Sequence, residues 1–318
     1  MKLPFLPEAA SVLASKVDAL LVGVTLMTSI VAFGVVVLLV VFTTKYRRGT
    51  DASRAFAPEP VRRRVRRRME IAWIAIPLLL FIAVFGWGAT LYFDHAAPPP
   101  NALEIFVVAK QWMWKLQHVT GQREIDELHV PSGIPVKLVM TAQDAIHSFF
   151  VPAFRVKQDV LPGRYTILWF TATAPGEYDL FCAEYCGTDH SRMLGKIVVL
   201  EPAQYQRWLE AHNAEPTMAM RGESLFRQFG CGGCHGAHAA VRSPPLEGRF
   251  GRQVPLRGGG TVLADDRYLR DSILLPQKEI AAGYDPVMPS FAGQISDPEL
   301  LDLIAYIKSL AAKEAASP

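Results

Sequence analysis

Two thiols, an imidazole and a thioether crowd into residues 182–193, in the order Cys182-x3-Cys186-x3-His190-x2-Met193. Thiolate and thioether are soft donors, and with imidazole they suit copper better than calcium or magnesium. A single blue-copper ion takes one Cys, one Met and two His. A second thiolate in the same loop can bridge two metal ions. The arrangement that uses every donor is therefore a dinuclear copper electron-transfer centre. It needs a second imidazole, and Asp144-Ala145-Ile146-His147-Ser148-Phe149 supplies His147 just after the β-rich run 136–140. A short-loop Cys182–Cys186 disulfide is the alternative in an oxidising compartment. It leaves His190 and Met193 at ligand spacing without a purpose.

A second chemical signature is Cys231-Gly232-Gly233-Cys234-His235. C-x-x-C-H is the attachment sequence of a c-type haem: two thioethers hold the ring and the adjacent imidazole ligates the iron. Zinc held by these residues and His238 would crowd four ligands into residues 231–238, and a thioredoxin-like redox pair lacks its βαβ context. The opposite face of the iron needs a Met or His downstream. Met288, in Pro286-Val287-Met288-Pro289, is the only methionine after the motif, so it is the axial candidate. The four cysteines of the chain are thereby accounted for as two functional pairs.

These ligands must be carried by a chain of 318 residues, half of them hydrophobic, with a positive mean hydropathy. That is too long for one small domain and too apolar for a wholly soluble protein. Residues 19–44 and 71–93 contain no charged side chain. Each is long enough to cross a hydrocarbon core of about 30 Å as a helix. The first exceeds an ordinary signal-peptide core and is followed by no small-residue cleavage site. Between them lies a basic loop, residues 45–68, with six arginines in 62–68. Its place between two spans makes it a topology signal rather than a nucleic-acid site, because Lys and Arg beside a span stay cytoplasmic. Both chain ends and everything after Asp94 then face the periplasm or cell exterior. The arginines can also hold anionic lipid headgroups.

The tripeptide Pro98-Pro99-Pro100 separates the second helix from the first exterior domain. Residues 103–200 read as short strands rich in Val, Ile, Phe, Tyr and Trp, including 105–108, 136–140, 165–170, 178–181 and 196–200. Turn signals at Pro131-Ser132-Gly133, Leu161-Pro162-Gly163 and Pro175-Gly176 separate them. About a hundred residues of this kind predict a β-sandwich or Greek-key barrel. The copper loop falls between two of its strands. Residues 203–211 predict a helix with Tyr205, Trp208, Leu209 and His212 on one face, and Asn213-Ala214-Glu215-Pro216 a linker. The last hundred residues predict a small helical domain. Leu225, Phe226 and Phe229 form a stripe before the haem cysteines. A closing helix is capped by Ser296 and Glu299, with Leu300, Leu303, Ile304 and Ile307 on its apolar face.

Helix hairpin, β-domain, copper loop and haem motif, in that order, resemble cytochrome c oxidase subunit II with a cytochrome c domain fused to its C-terminus. The resemblance spans nearly the whole chain. It implies a multidomain membrane protein: tail and hairpin in 1–97, a cupredoxin-like domain in 98–201, a helix and linker in 202–217, and an all-α cytochrome c domain in 218–318. It implies the dinuclear centre CuA with ligands His147, Cys182, the backbone carbonyl of Glu184, Cys186, His190 and Met193. The side chain of Glu184 resembles the family's magnesium ligand at the contact with subunit I. Gln111-Trp112-Met113-Trp114 resembles the family's aromatic segment, in which Trp112 is where electrons enter; Met113 stands where many members carry a third aromatic residue. By pattern alone, Trp112 and Trp114 share one face of a strand. Glu70, three residues before Trp73, matches an acidic residue at the mouth of a proton pathway into subunit I; by pattern it is a carboxylate at a helix N-terminus.

The function implied is electron transfer in a haem-copper terminal oxidase. Electrons pass from cytochrome c, or a quinol–cytochrome c reductase, through haem c and CuA to the haem of subunit I, where oxygen becomes water. Subunits I and III are the implied partners, in the cell membrane and without nucleic acid. Two rival functions fit part of the sequence. A CuA-containing nitric-oxide reductase would differ only in its acceptor, which lies in another polypeptide. A membrane-anchored, thioredoxin-like copper chaperone explains Cys-x3-Cys with a distant His, but neither the His190 and Met193 spacing nor the haem motif.

Overall fold

The computed structural model describes residues 6–49, 59–212, 216–236, 239 and 243–315. His238 and residues 213–215 of the expected linker lie outside them. The chain divides into two compact units, Leu13–Ala97 and the remainder.

The first unit is built from α1 (Val12–Lys45) and α2 (Glu59–His95), both longer than their charge-free stretches. Their apolar segments are exposed along their length, as lipid-facing helices are. Thr28, Thr43, Thr44 and Thr90 each return a hydroxyl to the carbonyl four residues back, at 2.7–2.9 Å, so these four donors are paired within their own helices. Gly23 admits the Trp87 ring; a Cβ there would sit 2.9 Å from it. One expectation is corrected. The arginines of 62–68 are not in a loop but in the first turns of α2. Arginine is a strong helix former, and Pro60 sits where a helix start tolerates proline.

In the second unit β1 (Leu103–Lys110), β2 (Met113–His118), β3 (Arg123–Ile125), β4 (Glu127–Pro131) and β5 (Pro135–Ala142) come first. Then follow β6 (His147–Val151), β7 (Val156–Val160), β8 (Thr166–Thr171), β9 (Gly176–Cys182) and β10 (Leu194–Leu200). They form two five-stranded sheets, ordered β3-β2-β1-β5-β8 and β4-β10-β9-β6-β7. The β1–β5 and β4–β10 pairs are parallel and the others antiparallel. Side chains alternate along a strand, so Ile105, Val107 and Ala109 face one side of β1 while Phe106 and Val108 face the other; all five are buried. A short strap, Pro7 to Ser11, lies along this domain. Ala10 exchanges backbone hydrogen bonds with Ala153 and Thr173, and the Ser11 hydroxyl donates to the Phe154 carbonyl.

Helix α3 (Pro202–Ala211) seals one edge of the sandwich, its Tyr205 hydroxyl bonded to His118 and its Trp208 stacked on His129 at 4.5 Å. Next come α4 (Met218–Gln228), the short α5 (Gly232–His235), β11 (Gln253–Pro255), β12 (Thr261–Leu263), α6 (Asp266–Leu274) and α7 (Asp297–Ala315). The β11–β12 hairpin is a small addition to the helical domain, and no strand signal in the sequence announced it. Ser296 donates its N–H and hydroxyl to Glu299 at 2.8 and 2.7 Å, half of the expected capping box. Helices α4 and α7 meet backbone to backbone at Gly222, where a Cβ would lie 2.0 Å from the Asp302 carbonyl oxygen.

The helical domain packs on the outer face of the first sheet. Phe106 and Val108 of β1, Val139 of β5, Met218 of α4, and Leu301 and Ala305 of α7 make one buried cluster. Burying each larger side chain contributes about 1.5–3 kcal/mol. Around it, Lys137 and Lys308 both bridge Glu104 and Asp266. Asp302 accepts from Gln117 at 3.0 Å and from Arg221 at 2.9 and 3.0 Å.

Candidate functional site

The sandwich brings the copper-type ligands together at one end. His147 opens β6, Cys182 closes β9, and the loop to β10 carries Cys186, His190 and Met193. The Cys182 and Cys186 sulfurs lie 3.8 Å apart. That is far beyond a disulfide at about 2.05 Å, and within twice a metal–thiolate distance of about 2.3 Å. His147 Nδ1 is 3.1 Å from Met193 Sδ and 4.0 Å from Cys182 Sγ. His190 Nδ1 is 3.5 Å from Cys186 Sγ, Met193 Sδ is 3.8 Å from that sulfur, and the Glu184 carbonyl is 3.3 Å from Cys182 Sγ. His147 and Met193 are wholly buried, and the Glu184 side chain is exposed.

Burial resists ionisation of Cys182, but hydrogen bonds from His147 and from backbone near Glu184 and Ser148 outweigh it and bring its thiol down to about 6. Burial, and then the Cys182 charge, push Cys186 up to about 12. Two neighbouring thiolates in a buried site repel unless a cation lies between them. Convergent soft donors that need positive charge fit a copper pair.

Several residues that position this set were not picked out from the sequence. Asp144 accepts from His147 Nε2 at 2.9 Å, which turns Nδ1 toward the sulfurs. The same carboxylate takes the Gln111 N–H at 2.8 Å, and the Gln111 amide donates to the Cys186 carbonyl at 2.8 Å. Burial opposes the Asp144 charge, yet the Gln111, His147 and Ala145 hydrogen bonds hold its carboxyl below the usual range. Gly187, at φ +117°, lies under this segment, and a Cβ there would be 3.0 Å from Gln111 Nε2 and 3.3 Å from the Trp112 ring. The spacing of Asp144, three residues before His147, was the available signal for the first of these.

Trp112 is half-buried, and its Nε1 has no hydrogen-bond partner among the described residues. It does not share a strand face with Trp114. Lys110 pairs with Met113, which leaves Gln111 and Trp112 as a two-residue hairpin turn. Trp114 is buried, edge-on to His147 and Phe149.

The helical domain holds an apolar cleft lined by Cys231, His235, Leu269, Met288, Leu303 and Ile307, among others. Cys234 joins Cys231, His235 and Met288 along an adjoining pocket. His235 Nδ1 donates to the Pro244 carbonyl at 3.1 Å, which leaves Nε2 as the free lone pair. Burial holds the imidazole pKa below its ordinary value, so the ring is neutral and ready to ligate. An apolar cleft with two thiols, an oriented imidazole and a thioether on its walls fits a covalent haem. Glu70 belongs to the helical hairpin, where it accepts from Arg66 Nε at 2.9 Å.

Both exterior domains have counterparts among known proteins. The family model described as cytochrome c oxidase subunit II, periplasmic domain, matches residues 107–201, and the cytochrome c model matches residues 219–311. Cytochrome c oxidase subunit 2 of Alkalihalophilus pseudofirmus is 31% identical over 259 residues, which is 77% of this chain and 74% of that protein. The Synechocystis subunit 2 is 39% identical over 120 residues, 38% of this chain and 36% of its own. Among solved structures, the periplasmic domain of subunit II of cytochrome oxidase from Bradyrhizobium japonicum is 30% identical. It covers 36% of this chain and 96% of its own length, with a TM-score of 0.35. The cytochrome c oxidase subunit 2 of A. pseudofirmus matches most of both chains, and the two family models cover both metal-site regions. On these grounds the chain belongs to the cytochrome c oxidase subunit II family and carries a cytochrome c domain after its copper domain.

Proposed function

We propose that this chain relays electrons from an external cytochrome donor, through haem c and then CuA, to the haem of subunit I for reduction of oxygen. When bound, the two groups supply one-electron carriers within a single polypeptide. The observation that carries the reading is the convergence of His147, Cys182, Glu184, Cys186, His190 and Met193 at one point of the same chain that forms the haem cleft.

The chain's own residues prepare both carriers. Cys231 and Cys234 would hold the haem covalently, and His235, through Nε2, and Met288 would be its iron ligands; a Met–His pair raises the potential, as suits a relay. Asp144 and Gln111 tie the Trp112 turn to the copper ligands, which supports Trp112 as the residue where electrons enter the copper site. The exposed Glu184 carboxylate is free to meet magnesium at the subunit I contact. Glu70 serves a proton pathway in subunit I. The strap from Pro7 to Ser11, bonded to the copper domain, supports an N-terminus on the periplasmic side with the C-terminus. Subunit III and anionic lipid complete the surroundings in the cell membrane. We take 98–201 as the copper domain and 218–318 as the haem domain.

Rapid mixing of the oxidised complex with a reduced cytochrome donor tests the order. Reduction of haem c before copper supports the relay. Copper reduced while haem c stays oxidised would refute it.

A further inference from the structure

We propose that the haem domain works from one fixed position, docked on the outer face of the β3-β2-β1-β5-β8 sheet, and passes electrons to the copper domain with no domain movement. This rests on the relay reading for its function but on the interface alone for its structure. Domains within a chain are expected to move unless their interface is large and hydrophobic. Three observations tie the two domains together here.

The outer face of β1 and β5 presents Phe106, Val108 and Val139, and all three are buried under Met218, Leu301 and Ala305. An antiparallel or mixed sheet with a free face would carry polar side chains there. The rim of the contact is a closed set of charges. Glu104 and Lys137 come from the sandwich, and Asp266 and Lys308 from the haem domain. Lys137 reaches Glu104 at 2.7 Å and Asp266 at 3.8 Å, while Lys308 contacts Glu104 and lies 3.1 Å from Asp266. Each charge on one domain thus finds its opposite on the other.

Tyr165, just before β8, supplies the third observation. It packs both on the interface cluster and on the core of the haem domain, with the Arg270 guanidinium 6.0 Å over its ring. Its hydroxyl is buried without a partner among the described residues. A side chain of the copper domain is thereby part of the haem domain's core. Separation would tear that core open, which a swinging arm cannot afford on each turnover.

The test uses the full chain in its oxidase complex, with spin labels on Ile125→Cys in β3 and Leu275→Cys beyond α6, both exposed positions. On the relay reading the four native cysteines would hold copper and haem and so would not take up the label. Pulsed dipolar spectroscopy is expected to give one narrow distance, broadened by adding Val139→Asp or the milder Lys308→Met. The haem-to-copper transfer rate after photoreduction is expected to be unchanged as glycerol raises the viscosity several-fold. A broad distance distribution in the otherwise native chain, or a rate falling in proportion to viscosity, would overturn the proposal. A narrow distance with no haem-to-copper transfer would uphold the docking and refute the relay instead.

Discussion

The Asp144 carboxylate accepts a hydrogen bond from His147 Nε2 at 2.9 Å, and through the Gln111 N–H it also fixes the turn that carries Trp112. One side chain therefore sets a copper ligand and its aromatic neighbour together. Outer partners of metal-binding histidines govern ring orientation and basicity, and losing one costs about 10–100-fold in metal affinity. Asp144→Ala is expected to weaken copper retention by that factor in chelator competition, with Asp144→Asn less affected. An unchanged copper affinity in Asp144→Ala would show that the ring is held by packing alone.

Met288→Ala removes the thioether from the cleft without touching Cys231, Cys234 or His235. The haem is expected to remain covalently attached while its midpoint potential falls, since a Met–His pair raises it. Potentiometric titration reads this directly. A potential equal to that of the native chain would assign Met288 to packing.

Gly222 lets α4 and α7 meet at a distance no larger side chain allows. Gly222→Ala is expected to cost about 1–3 kcal/mol through overpacking, a drop of roughly 2–12 °C in the melting temperature. Scanning calorimetry of the chain measures it. No loss would mean the helices separate freely there.

Acid should loosen the contact between the two domains. Burial opposes the Glu104 charge, but Lys308 and Lys137 hold its carboxyl below the ordinary value of 4.5. Burial likewise opposes the Lys308 charge, but Asp266 and Glu104 hold it above the ordinary 10.5. The stability from Glu104 is complete above about 4.5 and is lost as pH falls through its lower folded value. That from Lys308 is complete below about 10.5 and is lost as pH rises through its higher one. Melting temperature is therefore expected to be flat with respect to these groups between the two. Lys308→Met is expected to cost on the order of 2–5 kcal/mol and to move the acid transition to higher pH, because Glu104 loses its main cation. An acid transition at the same pH would remove Lys308 from the account.

The copper loop was legible in the sequence because its donors are chemically rare and lie within residues 182–193. His147 was legible only through that company. The haem cysteines form a contiguous motif, and Met288 stood out by being alone. The docking of the haem domain was not legible. Glu104 and Lys308 stand 204 residues apart, and charges carry no periodic mark of a distant partner. One trace was present: the run Ile105-Phe106-Val107-Val108-Ala109 shows no alternation, as befits a strand covered on both faces. The arginines of 62–68 were expected in a loop because topology was read from charge alone, while their helix propensity carried α2 past the apolar span.

The most direct measurement is an electron paramagnetic resonance spectrum of the oxidised full-length protein, taken with its copper and haem content. Two coppers and one covalent haem per chain are predicted, with hyperfine structure from one electron shared over two copper nuclei. A spectrum of a single isolated copper, at full metal loading, would contradict the dinuclear centre on which the account rests.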